Sequence, residues 1–67
     1  MSLGELIASR DSTITEIAER MGIGEAQVMA WVCGEVPDAV LAARLSNTLD
    51  VSLEELYAAV LRTPKII

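Results

Sequence analysis

Residues 17–34, Ile17-Ala18-Glu19-Arg20-Met21-Gly22-Ile23-Gly24-Glu25-Ala26-Gln27-Val28-Met29-Ala30-Trp31-Val32-Cys33-Gly34, read as two short helices joined by a tight turn. The first helix starts at Thr13, where Thr13-Ile14-Thr15-Glu16 has the T-x-x-E spacing of a capping box. Ile14, Ile17, Ala18 and Met21 then recur at the helical period and make one apolar stripe. Gly22 stops the helix, as glycine does in the left-handed position just past a helix end. Ile23 is expected to pin the turn. The second helix runs from Glu25 to about Cys33, with Gly24 as a weak N-cap. Val28, Trp31 and Val32 share its inner face, and Gly34 ends it. The small Ala18 lets the two helices approach closely.

The same punctuation extends in both directions. Upstream, Leu3, Leu6 and Ile7 form the stripe of a helix over about Leu3–Arg10, with Arg10 suited to its C-terminal end. Asp11 and Ser12 break it. Downstream, Glu35, Val36 and Pro37 form a loop, and Asp38 caps a helix to about Thr48 with Leu41, Leu45 and Leu49 in register. Asp50 and Val51 turn the chain. Ser52-Leu53-Glu54-Glu55 is a second capping-box pattern, opening a helix that carries Leu53, Leu56, Tyr57, Val60 and Leu61. Thr63-Pro64 ends it. The expected architecture is all-α, with five short helices in one domain over residues 1–63 and a tail over 64–67. No repeat, low-complexity stretch or internal linker interrupts it.

Composition narrows the chemistry. The chain has 67 residues, 52% of them apolar and 22% charged, with Trp31 and Tyr57 as its aromatics. Aliphatic packing must therefore build the core. Cys33 is the single cysteine and there is no histidine, so an internal disulfide and the usual zinc sites are excluded. No metal and no cofactor is expected. Five basic residues (Arg10, Arg20, Arg44, Arg62, Lys65) stand against ten acidic ones, for a net charge of −5. That balance gives no electrostatic footprint for phosphate polymers or anionic membranes.

The stretch Ile17–Gly34 closely resembles the helix-turn-helix of the phage-repressor and Cro (XRE-like) family. The apolar–Ala pair at Ile17-Ala18, the Met21-Gly22-Ile23 turn, the apolar Val28 and Trp31, and the closing Gly34 carry the likeness. Leu49-Asp50-Val51-Ser52-Leu53-Glu54-Glu55-Leu56 resembles the start of that family's last helix, and the whole likeness spans about Leu3 to Leu61. The resemblance implies a lambda-repressor-like DNA-binding domain whose second motif helix lies in the major groove. It places Glu25, Ala26, Gln27, Met29 and Ala30 at base-reading positions and Thr13 and Ile14 against the phosphate backbone. The implied partner is double-stranded DNA and the implied role a small repressor-type transcriptional regulator. A dimer would reinforce weak half-site binding, with Tyr57, Val60, Leu61, Ile66 and Ile67 as its candidate seam.

Each of these residues also has a plainer reading. Gln27 can pair with adenine or simply be solvated. Glu25 can accept from cytosine N4 or only offset the helix dipole. Met29 can touch a thymine methyl or a protein. Thr13 is first of all a cap, Trp31 is core, and Cys33 is a small filler. Val60 and Leu61 can complete the monomer core, leaving Ile66 and Ile67 as a free tail.

The sequence departs from the family pattern where phosphate contacts are made. Ile14 stands where the family often has glutamine. Gly24, Glu25 and Ala26 stand where serine, arginine or lysine is usual. No basic residue lies between Arg20 and Arg44, while Glu25, Glu35 and Asp38 flank the recognition helix. Its outer side, Ala26, Met29, Ala30 and Cys33, is expected to be exposed and mostly apolar. A second reading therefore stands beside the first: a helix-turn-helix that has exchanged DNA for a basic protein, acting as antirepressor, inhibitor or adaptor. An enzyme is not expected. There is no cysteine–base pair or glycine-rich phosphate loop, and the adjacent Glu54 and Glu55 diverge by about 100° around a helix. No stretch approaches the roughly 18 apolar residues of a membrane span. With no basic, apolar targeting segment at the start, a cytoplasmic location is the default.

Overall fold

The computed structural model describes residues 1–64. Its five helices are α1 (Leu3–Ser9), α2 (Ile14–Met21), α3 (Glu25–Val32), α4 (Ala39–Leu49) and α5 (Leu53–Arg62), and no strand occurs among the described residues. Each helix contributes at least one side chain that is essentially free of solvent: Leu3, Ile17, Val28 with Trp31, Leu45 and Leu56. α2 packs on α3 and α4, while α1 packs on α5 and α3, and α4 joins α5. Behind the motif pair, α4 thus braces α2 and α1 braces α3, while α5 ties α1 to α4. This is the all-α, five-helix architecture expected from the sequence.

The helix starts follow from local chemistry. Ser2, Thr13, Asp38 and Ser52 each accept the backbone N–H three residues on, which satisfies an amide that has no partner within the helix. The complete reciprocal box occurs at α1. There the Ser2 N–H donates to Glu5 Oε1 at 2.8 Å and the Glu5 N–H to Ser2 Oγ at 3.3 Å. At Thr13/Glu16 and Ser52/Glu55, where the box was expected, only the amide-to-hydroxyl half forms. The hydroxyls instead donate to the glutamate carboxylates at 3.3 and 3.4 Å.

The boundaries shift by a residue in places. α1 ends at Ser9 and α3 at Val32, with Arg10 and Cys33 as caps, and α4 continues through Leu49. Arg10 closes its own helix through its backbone N–H, while its side chain serves another. Its guanidinium donates to the Asp50 carbonyl at 2.8 Å and so closes the end of α4. Asp50 is left-handed (φ 55°), a conformation that aspartate tolerates better than most residues.

α5 requires two corrections. Its buried face is Leu56, Ala59 and Val60, whereas Leu53 is exposed and Leu61 is 84% exposed. Ala42 is fully buried on α4 although the leucine register did not single it out. Thr63 ties the two ends of the fold together. Its hydroxyl donates to the Ala59 carbonyl and accepts the Leu3 N–H, both at 2.8 Å.

Candidate nucleic-acid interface

The interface is built on the turn between α2 and α3. Gly22 takes φ 67°, which a residue with a Cβ adopts only with strain. That conformation lets the Ile23 N–H reach back to the Ala18 carbonyl at 3.0 Å and the Gly22 N–H to Glu19 at 3.2 Å. The result is the six-to-one closure of a Schellman-type helix end. Ile23 is half-buried against the core, as its pinning role requires. The Arg44 guanidinium, reaching over from α4, donates to the Met21 carbonyl and fixes the same turn from outside.

α3 is held from one side only. Val28 and Trp31 are solvent-free, and Val32 packs partly against the same cluster. Ala26 and Glu25 face outward, and Met29 is 50% exposed. Gln27, Ala30 and Cys33 are half-buried. The expected open face of four residues is therefore narrower, with Ala26 and Met29 exposed and Ala30 and Cys33 partly covered. Gly24 caps α3 with extended backbone (φ −75°, ψ 148°) but supplies no side-chain oxygen. The amides of the first turn of α3 thus lack a side-chain acceptor.

The start of α2 reaches the same surface. Ile14 joins Glu25, Ala26 and Met29 in lining an open groove of about 270 Å³. The Thr13 hydroxyl is engaged with Glu16 as acceptor and donor. Thr13 is exposed and Ile14 half-buried. From Glu25 as far as Arg44 the chain carries only acidic charge. Glu25, Glu35 and Asp38 are all exposed, and Asp38 accepts the Leu41 N–H at 2.9 Å. Val36 and Val40, also exposed, extend the apolar character into the loop after α3 and the first turn of α4.

The profile of the Cro/C1-type HTH DNA-binding domain matches residues 2–61. The chain belongs to the Cro/C1-type helix-turn-helix family. This Cro/C1-type domain is a member of a family of DNA-binding regulators, and α2 and α3 are its motif helices. No curated protein and no solved structure gave a match. Among the described residues no helix is long and apolar enough to cross a membrane.

The candidate seam on α5 is divided by the fold. Val60 is buried in the monomer core, the plainer of its two sequence readings. Tyr57 is half-buried against the same core, and Leu61 stands out in solvent. Ile66 and Ile67 lie outside the described residues. Sequence reasoning missed the roles of Arg44 and Arg10. Both act on carbonyls far away in the chain, and no local pattern marks such a bond.

Proposed function

We propose that this Cro/C1-type domain is a repressor-type transcriptional regulator that presents the outer face of α3 to the major groove of double-stranded DNA. The observation that carries the reading is the one-sided anchoring of α3. Val28 and Trp31 hold its back in the core, while Glu25, Ala26 and Met29 face outward beside Ile14. Gln27 and Ala30 flank that face, and Thr13 and Ile14 approach the backbone from the start of α2. Residues 1–63 act as the single domain, supported by the Thr63 clasp onto Leu3, with 64–67 as a tail. The site of action is the cytoplasm. The working form is a homodimer that reads two half-sites about one helical turn apart.

The test is a selection from a random duplex pool at about 50 mM salt, where counterion release favours binding most. A retained palindromic motif is the expected result. Failure to retain any duplex under these permissive conditions would overturn the reading.

A second reading is favoured by a specific observation. Exposed Met29, Val36 and Val40 are interleaved along the chain with exposed Glu25, Glu35 and Asp38, Glu25 shares a groove with Met29, and Arg44 is engaged at the Met21 carbonyl. An apolar patch rimmed by carboxylates suits a basic protein partner, as for an antirepressor, inhibitor or adaptor. The pair Glu25→Lys and Asp38→Asn separates the two readings, and asparagine preserves the capping oxygen of α4. Stronger non-specific DNA binding supports the first reading. A weakened complex with a basic protein supports the second.

A further inference from the structure

We propose that the groove between the start of α2 and the outer face of α3 is a socket for the C5-methyl group of thymine. In it, Ile14, Ala26 and Met29 supply the walls, and Glu25 takes an amino group on a neighbouring base edge. This rests on the DNA reading above and specifies what that surface reads.

The chemistry of the lining carries the argument. The groove, about 270 Å³ and open to solvent, is lined by Ile14, Glu25, Ala26 and Met29. None of these four side chains carries a hydrogen-bond donor at neutral pH. Three of them offer only methyl, methylene or thioether surface, and the fourth offers a carboxylate. Ile14 packs partly against the core and forms a fixed wall. Met29 is unbranched and half-exposed, so it can adjust to the guest.

The four bases present different edges to such a lining. Guanine shows two acceptors, O6 and N7, which are read by arginine or lysine. No such residue lies between Arg20 and Arg44. Arg44 is engaged at the Met21 carbonyl, and a carboxylate at the groove wall repels both acceptors. Thymine shows a single acceptor, O4, and its methyl group, which matches the apolar walls. Adenine N6 and cytosine N4 carry amino donors, which match Glu25. Charge and polarity together select a thymine beside an amino-bearing base, and they disfavour guanine on the strand that Glu25 faces.

The experiment removes the methyl group and nothing else. In a duplex recovered from the selection, each thymine is replaced in turn by deoxyuridine, and binding is followed by fluorescence anisotropy at about 50 mM salt. At the socket position the loss is expected to be about 4-fold per half-site, the weight of one methyl group withdrawn from an apolar contact. Met29→Ala should shrink that thymine–uracil difference towards none while the far-UV circular dichroism stays helical. Glu25→Gln should relax discrimination against guanine on the strand that Glu25 faces at the adjoining step. Equal binding of every uracil-substituted duplex overturns the socket but leaves DNA binding intact. So does a full thymine preference in Met29→Ala. Recovery of no duplex at all overturns both this proposal and the reading on which it rests.

Discussion

Four of the helices and α3 are stabilised in opposite ways. α1, α2, α4 and α5 each start on a serine, threonine or aspartate whose oxygen takes an amide of the first turn. α3 starts on Gly24, and no side chain caps it. Its stability comes from behind, through Val28 and the solvent-free Trp31. The capped helices are largely specified by their own sequence. α3 is a helix because the rest of the domain holds its inner face, and the same arrangement leaves its outer face and first turn open to a partner.

Removing the anchor should have the largest effect. Trp31→Ala deletes the largest fully buried side chain and should cost about 3–5 kcal/mol. For a domain of this size that is most of its stability. Loss of the cooperative urea transition is the expected result, and a near-native midpoint would show that α3 is not held from behind. Next in size is Thr13→Ala, which removes the cap of α2 and should cost about 1 kcal/mol in the same assay.

The reverse experiment gives α3 what it lacks. Gly24→Ser puts a hydroxyl where the backbone is already extended and a new Cβ meets nothing within 4 Å. It should gain only a few tenths of a kcal/mol, ~0.3. A loss of stability would mean that the φ/ψ of Gly24 is not free to accept a cap.

The smallest effect concerns pH at α1. The Ser2 backbone N–H, and after it the Ser2 hydroxyl, hold the exposed Glu5 carboxyl below its usual pKa. The folded-state value is the lower one. The contribution of the capping box is therefore complete above the ordinary glutamate pKa and disappears as pH falls through the lowered value. Glu5→Gln should flatten that part of the stability profile in acid. An unchanged profile would show that the reciprocal bond contributes nothing in solution.

Much of the fold was legible because its determinants are local. Glycine at Gly22, the caps at Thr13, Asp38 and Ser52, and the stripes on α2 and α3 depend on neighbours within a turn or two. The Ser2–Glu5 box has the same spacing, but the apolar stripe of the first helix begins only at Leu3, so periodicity does not mark Ser2 as its cap. α5 misled for a different reason. Leu53, Tyr57 and Leu61 make as regular a stripe as the residues that are actually buried. Only the packing of α5 on α1 and α4 turns Ala59 and Val60 inward and leaves Leu61 outside. The candidate interface was legible as a list of positions, while its groove was not. Ile14 and Met29 meet only once the turn has set α2 against α3.

The sequence by itself determined a five-helix domain with its turn at Gly22 and a chain too acidic to hold DNA by charge alone. Periodicity, capping and net charge are properties of the chain before it folds. Tertiary structure alone decided that Arg44 closes the Met21 end of α2, that Arg10 closes α4 at Asp50, and that Thr63 clasps Leu3. It also decided that Val60 is core and that Glu25 shares a groove with Ile14. These pairings join residues distant in the chain, and their geometry depends on how helices cross, which a hydrophobic pattern does not encode.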